Sequence, residues 1–282
     1  MTEVSRQIIE SVEGSKGLSF GKMGSVEATC LVEYFSKKQH RNWDAPGHGR
    51  TLRQAAAINA GVFPPEDETL DKWCEMYLSS VQDLDYILEW CPEYGDRQII
   101  DKFCYKTKRF FSFGDYEPFF MKENNWLNSL ANHRVLVVSP FGETIKHQFN
   151  RFDEVWNSDV SFKSLEVLKT PYSPFVSGES IYSDYFEALS SMQMKVLDTD
   201  FDIAIVGAGA YSLPLMQTMK MLGKTSIHLG GATQLCFGIK GARWDQSPDF
   251  ANSEFYNRPS WIRPLDIDKP KNNKLVENGC YW

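Results

Sequence analysis

Short apolar runs alternate with longer amphipathic stretches along most of the chain. The runs Arg134–Ser139, Leu165–Leu168 and Ile203–Val206 are typical of strands buried on both faces of a parallel sheet. Strands that alternate with helices predict an α/β fold, here a Rossmann-like, doubly wound, mostly parallel sheet with helices on both faces. Apolar spacing predicts the helices over 3–13, 25–35 (with Ser25 as its cap), 52–60, 66–82, 143–156 and 183–197, and weaker strands at 17–22 and 85–90.

Three regions fall outside this alternation. Residues 40–50 are rich in turn formers and predict a loop, and 91–133 is aromatic without a clear period. Periodicity is weak from Trp244 onward, so we expect an extended C-terminal arm over 246–282. The chain is therefore expected to form one domain of 282 residues, with an N-terminal half (1–133) and a C-terminal, nucleotide-binding half (134–245).

Residues 202–231 have the clearest local organisation. An apolar run ends in the glycine-rich turn GAGAYS, a helical stretch follows, and a second apolar run ends at His228. Strand, glycine turn, helix and strand make one βαβ unit. Because a glycine turn lets backbone N–H groups approach an anion closely, this turn predicts a site for a phosphorylated ligand, above all a nucleotide. Its contact residues are expected to be Gly207, Gly209, Tyr211 and Ser212.

The turn departs from the dinucleotide fingerprint. Ser212 stands where that fingerprint has its third glycine, and no Asp or Glu ends the next strand to bind a ribose. NAD and FAD are therefore disfavoured, whereas phosphate binding is not. A tight turn without any ligand is the structural alternative.

Two segments that follow the second strand carry candidate ligand contacts. His228, Gly230 and Gly231 come at the expected carboxyl edge of the sheet, where histidine can bond a diphosphate or ribose or act as a base. A histidine bonded to a backbone carbonyl is the alternative. Lys240 and Arg243 lie among glycines, which suits a mobile loop closing over an anionic leaving group, although a solvated surface loop has the same composition.

Glu27 is the candidate catalytic carboxylate. It lies in Lys22-Met-Gly24-Ser25-Val-Glu27, just after a predicted strand and at the start of a helix. A Glu in the first turn of a helix is also common for electrostatic reasons alone. Three of the four Asp-x-Asp pairs, among them Asp200 and Asp202, precede apolar runs, so they are expected at the opposite edge of the sheet and not as metal ligands.

Composition narrows the class of protein. A net charge of −7 argues against a general nucleic-acid binder. No apolar run is long enough to span a bilayer, and the polar N-terminus lacks the apolar core of a secretory signal. Six scattered cysteines without a C-x-x-C pair favour reduced thiols in a cytoplasmic protein.

Taken together, these motifs resemble the GT-D class of glycosyltransferases, the DUF1792-like family of bacterial polysaccharide biosynthesis. In that family an R-F-G-D-G-E segment supplies a D-x-E motif for metal binding and catalysis, and a later segment reads G-x-x-x-I-x-I-G. Lys22-Met-Gly-Ser-Val-Glu27 resembles the first and Gly223-Lys-Thr-Ser-Ile-His-Leu-Gly230 the second. Glu27 falls on the family's Glu and Lys22 on its Arg, but Ser25 replaces its Asp, which marks the chain as a divergent member.

The resemblance implies a cytoplasmic transferase that uses a nucleotide-diphosphate sugar such as a UDP-sugar. Its acceptor would be a glycan or a lipid-linked sugar, the latter reached by peripheral association with a membrane. Glu27 would act as base or hold Mn²⁺ or Mg²⁺, and Ser25 in place of Asp puts the metal in doubt. The residues expected at the donor are Lys22, Gly24, Ser25, Gly207, Gly209, Tyr211, Ser212, His228, Gly230, Gly231, Lys240 and Arg243, with the aromatic segment Phe110–Trp126 and Trp244 offering faces for sugar rings.

Two other classes are compatible with parts of the pattern. A non-catalytic nucleotide-binding regulatory or assembly protein would need Gly207 and Gly209 but not Glu27. A Rossmann oxidoreductase is disfavoured, because the ribose carboxylate is absent.

Overall fold

The computed structural model describes residues 2–37, 40–121, 125–156 and 160–282. Its centre is a sheet of seven strands, all parallel, in the order β5-β4-β1-β9-β8-β6-β7. The doubly wound α/β fold predicted from the sequence is confirmed. The strands are β1 (Ser19–Gly21), β4 (Tyr86–Leu88), β5 (Lys108–Phe110), β6 (Arg134–Ser139), β7 (Ser164–Lys169), β8 (Ile203–Val206) and β9 (Thr225–His228), while β2 (Pro46–Gly47) and β3 (Arg50–Thr51) form a separate antiparallel pair.

Helices cover both faces of the sheet. The longer ones are α1 (Glu3–Glu13), α2 (Ser25–Ser36), α4 (Asp67–Gln82), α5 (Asp96–Phe103), α6 (Gly142–Phe149), α9 (Tyr185–Asp198) and α10 (Ser212–Met221). Shorter ones are α3 (Leu52–Ala55), α7 (Phe152–Trp156), α8 (Pro174–Ser177), α11 (Thr233–Cys236), α12 (Ala242–Asp245) and α13 (Pro248–Ala251), and a π-helical turn continues α3 over Ala56–Ala60. None of the helices described is long and apolar enough to cross a membrane.

Alternate residues of each central strand enter two separate cores, as the period of a strand requires. In β6, Leu136 and Val138 pack with α2, α4, α9 and α10, whereas Val135 and Val137 pack with α1, α6 and the tail. The helix after β8 covers the first face and the helix after β6 covers the second. The chain therefore leaves the neighbouring strands β8 and β6 toward opposite faces of the sheet, which makes a crevice at their carboxyl ends.

The structure corrects three details of the sequence interpretation. The aromatic segment 91–133 contains a helix, α5, and the edge strand β5, although its residues 122–124 lie outside the described part of the chain. The single helix predicted over 143–156 is divided into α6 and α7. The arm over 246–282 is folded into turns and short helices instead of being extended, and it buries Phe250 and Trp261 in the second core.

Candidate functional site

A cavity of about 620 Å³ lies at the carboxyl edge of the sheet, beside the ends of β1, β9, β8, β6 and β7. This volume is in the range of sites for small molecules, and the edge is where parallel α/β sheets bind ligands. Of the residues predicted for the site, all except Ser212 and Lys240 line this cavity: Lys22, Gly24, Ser25, Glu27, Gly207, Gly209, Tyr211, His228, Gly230, Gly231 and Arg243.

The glycines of the turn after β8 are required by packing against backbone. A Cβ on Gly207 would lie 2.4 Å from the Gly230 carbonyl oxygen. A Cβ on Gly209, whose φ is +55°, would lie 2.7 Å from the carbonyl oxygen of Ala60. The missing side chain of Gly209 therefore makes room for the backbone of Ala60. As in any such turn, the first N–H groups of Gly209–Tyr211 have no partner within the turn, and Gly209 lines the cavity.

Tyr211 and Ser212 complete this turn in different ways. The Tyr211 ring stacks on Tyr185 with centroids 4.5 Å apart, and its hydroxyl donates to the Gly61 carbonyl at 3.3 Å. Ser212 lies behind the turn, fully buried, where its Oγ accepts from the Ala208 N–H at 2.9 Å. This corrects the prediction that Ser212 contacts the donor, because its hydroxyl stabilises the turn from inside the fold.

His228, at the end of β9, is held as a neutral imidazole. Its Nδ1 donates to the Lys22 carbonyl at 2.9 Å, and because a carbonyl only accepts, the ring proton is assigned to Nδ1. Burial, together with the charge of Lys22, lowers the pKa of His228 to about 3, although the bond to the Lys22 carbonyl opposes the shift. His228 therefore presents an uncharged ring with Nε2 as an acceptor, next to Gly230.

The charge of Lys22 is already balanced. Its Nζ donates to Glu117 Oε1 at 3.0 Å, and both side chains are buried. The ammonium also lies 4.6 Å from the centroid of the Phe113 ring. Lys22 lines the cavity, but it would bind an anionic ligand only by exchanging or sharing its carboxylate partner.

Glu27 is the third residue of α2, and its carboxylate folds back over the start of the helix. A Cβ on Gly24 would lie 2.1 Å from Glu27 Oε2, so only glycine leaves room for this arrangement. Gly24 is the N-cap and Ser25 the first helical residue, and no side chain caps the helix, which corrects the predicted cap at Ser25.

Glu27 is a buried carboxylate without a cation. It is 6% exposed, and no ion pair joins it to a lysine, arginine or histidine in the described part of the chain. Burial raises the pKa of Glu27 to about 7; its own backbone N–H lowers the pKa in part, and the charge of Glu277 raises it further. A carboxyl group with this pKa in a cavity wall is suited to exchange protons at neutral pH.

The segment with the two predicted cations is packed and not a free loop. The Arg243 guanidinium forms an ion pair with Glu277 and lies 4.6 Å from the centroid of the Tyr281 ring. The Arg243 N–H donates to the Cys280 carbonyl at 2.8 Å. Lys240 lies outside the cavity wall, with its ammonium 5.2 Å from the Tyr256 ring. Of the two predicted cations, Arg243 alone belongs to the cavity.

The aromatic residues predicted to stack on sugar rings belong mostly to the core. Phe110, Tyr116 and Trp126 are buried in the second core, and Trp244 is buried beside the tail. The Tyr116 hydroxyl lies 2.7 Å from the carbonyl oxygens of both Phe20 and His228, so it links β1 to β9 beneath the cavity. The aromatic side chains that line the cavity come from other parts of the chain: Trp90, Tyr94, Phe141, Tyr172, Tyr211, Tyr281 and Trp282.

Several cavity residues were missed from the sequence, and they share an unusual property. Each has a buried polar side-chain atom with no hydrogen-bond partner: Asn59 Oδ1, Thr170 Oγ1, Ser173 Oγ, Thr233 Oγ1, Gln234 Oε1 and Trp282 Nε1. Buried polar atoms are rarely left unpaired, because each costs about 1–3 kcal/mol. Thr170 comes two residues after the predicted strand Leu165–Leu168, a position near the carboxyl edge; the others carry no comparable sequence signal.

The orientation of Gln234 is fixed by its neighbours. Its Nε2 donates to the carbonyl oxygens of Ile239 and Lys240, both at 3.2 Å, and of Tyr281 at 3.3 Å. The unpaired atom is therefore the amide oxygen, an acceptor that a ligand hydroxyl or N–H would satisfy.

The described residues do not fit the metal site that the resemblance implies. No group of three or more His, Cys, Asp or Glu within the described ranges is arranged to hold a metal ion. Ser25 supplies no carboxylate beside Glu27, and Glu277, whose charge acts on Glu27, is paired with Arg243. We therefore derive no step through Mn²⁺ or Mg²⁺.

No family model, curated protein or solved structure matches the chain. The resemblance to GT-D enzymes therefore rests on the two motifs quoted above and stays a prediction.

Proposed function

We propose that the protein is a glycosyltransferase that moves a sugar from a nucleotide-diphosphate sugar to a hydroxyl group of a glycan or lipid-linked acceptor. The observation that carries this proposal is Glu27: a buried carboxyl group without a cationic partner, with a pKa raised to about 7, in the wall of a cavity of small-molecule size. A purely structural carboxylate at this burial would be expected to have a cation or several donors.

Glu27 is the proposed general base. It accepts the proton of the acceptor hydroxyl as that oxygen forms a bond to the anomeric carbon of the donor, while the bond from this carbon to the diphosphate oxygen breaks. A pKa near 7 keeps a large fraction of Glu27 ionised at neutral pH and still basic enough to accept the proton. His228 remains neutral and offers Nε2 as a hydrogen-bond acceptor, so it adds no positive charge.

The departing diphosphate carries the negative charge that develops, and two glycine turns face it. These turns, Gly209–Tyr211 and Gly230–Ala232, begin next to the cavity with N–H groups that have no partner inside the turn. Arg243 is the cation in position to add a charge-assisted hydrogen bond, by exchanging Glu277 for the ligand. We place the reaction in the cytoplasm as part of the same proposal.

A panel of nucleotides and nucleotide sugars, screened by thermal shift with and without Mn²⁺, tests the proposal. We expect stabilisation by at least one nucleotide-diphosphate sugar, and the best donor then defines an assay of transfer or donor hydrolysis.

In that assay Glu27→Gln should keep nucleotide binding but lower the rate roughly 10²–10⁴-fold, the usual contribution of a general base. Glu10→Gln, which changes an exposed carboxylate on α1, a helix that contributes no residue to the cavity wall, is the matched control and should keep full activity. Full activity in Glu27→Gln would refute the mechanism. Nucleotide binding without transfer from any donor would instead favour a non-catalytic nucleotide-binding protein.

A further inference from the structure

The cavity has two chemically different ends. Its Lys, Arg and Glu side chains, Lys22, Glu27, Arg243 and Glu277, come from the segment after β1, from α12 and from the tail. The opposite end, which we call the uncharged wall, consists of Ser139–Phe141 after β6, Thr170–Ser173 after β7, and Trp282. No side chain of the uncharged wall is ionised at neutral pH, so this end suits a neutral ligand group.

The uncharged wall combines unpaired hydroxyl groups with aromatic rings. Thr170 and Ser173 are 5% and 2% exposed, and neither hydroxyl has a hydrogen-bond partner. The Trp282 ring lies with its centroid 6.0 Å from that of Phe141 and 6.2 Å from that of Tyr172, and its Nε1 is unpaired too. Flat rings beside groups that seek hydrogen bonds match a nucleoside, which offers a planar base and ribose hydroxyls.

The wall is held in place from behind. The Tyr172 hydroxyl donates to the Asp268 carbonyl at 3.1 Å, and the buried Asp268 carboxylate accepts from the Thr144 N–H at 2.7 Å and from Lys169 Nζ at 2.7 Å. The segment Thr170–Ser173 therefore does not have to be ordered by the ligand, which reduces the entropy cost of binding.

The order of the strands sets the direction of the ligand. From Glu27 to the uncharged wall the edge passes β1, β9, β8, β6 and β7, which is four inter-strand steps or about 19 Å. The two glycine turns follow β9 and β8, between these ends. A nucleotide sugar has its diphosphate in the middle, with the sugar on one side and the nucleoside on the other. If the diphosphate lies at the glycine turns and the sugar near Glu27, the nucleoside reaches the uncharged wall.

We propose that the uncharged wall is the nucleoside subsite of the donor, where Thr170 and Ser173 bond the ribose hydroxyls and Trp282, Tyr172 and Phe141 contact the base. This inference rests on the proposed function, since it takes the donor to be a nucleotide-diphosphate sugar. It also identifies specificity residues that no motif in the sequence indicates.

Calorimetric titration of the Thr170→Val/Ser173→Ala double variant tests the subsite. The probes are UDP, GDP, ADP, CDP and inorganic pyrophosphate, with wild type and Ser177→Ala as references; the Ser177 hydroxyl is already bonded to backbone carbonyls and lies outside the cavity. Two lost hydrogen bonds should raise the Kd of the preferred nucleoside diphosphate about 5- to 150-fold. Pyrophosphate affinity should be unchanged, and so should nucleotide affinity in Ser177→Ala.

The outcomes separate the two proposals. A wild-type protein that binds none of the nucleoside diphosphates refutes the proposed function and the subsite together. A wild-type protein that binds one of them, with equal affinity in the double variant, refutes the subsite alone. Thermal denaturation checks folding, and because both hydroxyls are unpaired in the free protein, their removal should not lower its stability. Trp282→Phe, which keeps a ring and removes the N–H, should weaken the same nucleotide if the subsite is correct.

Discussion

The two edges of the same sheet differ in how completely their polar groups are paired. At the amino edge Asp85, Asp200 and Asp202 each have a cation: Arg134 pairs with Asp200 and Asp202, and Lys220 Nζ lies 3.0 Å from Asp85. At the carboxyl edge Glu27 is buried without a cation, and polar side chains around the cavity lack partners. Pairing at the amino edge stabilises the fold, whereas the unpaired groups at the carboxyl edge reduce stability and remain available to a ligand.

The largest expected effect concerns two glycines at the opposite edges. Gly209 at the carboxyl edge and Gly223 at the amino edge both have a positive φ, but a Cβ on Gly223 meets nothing within 4 Å. Gly223→Ala should therefore cost only about 1–2 kcal/mol of backbone strain. Gly209→Ala adds a clash with the Ala60 carbonyl and should cost at least about 3 kcal/mol. Urea denaturation measures the free energy of unfolding of both variants. Equal losses would show that the turn at Gly209 can shift to accommodate a Cβ at little cost.

A second comparison concerns how Glu27 and Asp202 make the stability of the protein depend on pH. The pKa of Glu27 is raised in the folded state from 4.5 to about 7, so its ionisation opposes folding as pH rises through this range. Glu27→Gln should leave stability nearly unchanged at pH 4 and increase it by about 1–3 kcal/mol at pH 8. The pKa of Asp202 is lowered to about 2, chiefly by the Arg134 hydrogen bonds, so its contribution is present above about pH 4 and lost as pH falls toward 2.

Asp202→Asn should accordingly lose about 1–2 kcal/mol at pH 7, a value reduced for the partial exposure of this ion pair. Denaturation curves of both variants at pH 4, 6 and 8 measure the two opposite effects. If Glu27→Gln were less stable than wild type at pH 8, the carboxylate would be structural and the contrast between the edges would fail.

The smallest expected effect separates the two cations after β9. Arg243→Ala should weaken binding of the nucleotide-diphosphate donor by about tenfold, near 1.4 kcal/mol. The effect is modest because the hydrogen bond that Arg243 forms with the ligand replaces its ion pair with Glu277. Lys240→Ala removes a similar charge from outside the cavity and should bind within about twofold of wild type. Titration with the best nucleotide tests both, and equal losses would mean that only general electrostatic attraction is involved.

The periodic parts of the chain allowed the sheet, the longer helices and the glycine turn to be predicted, because burial on one or both faces imposes a regular apolar spacing. The edge strand β5 was missed, since in Lys108–Phe110 only the phenylalanine is buried. Most of the predicted site residues meet at one cavity because they come at the carboxyl ends of the parallel strands β1, β8 and β9. Trp282 was missed because an aromatic side chain in an irregular segment acquires significance only once distant parts of the chain are placed together.

The pairing of β1 with β9 has a consequence for how the chain folds. β1 begins at Ser19, whereas its neighbour β9 ends at His228. The strands β1, β4 and β5 are therefore synthesised long before β9 exists. Until then β1 presents an open strand edge, which is a template for pairing with other chains. We expect slow folding dominated by these distant contacts, and premature termination before β9 should yield aggregates instead of a stable N-terminal fragment.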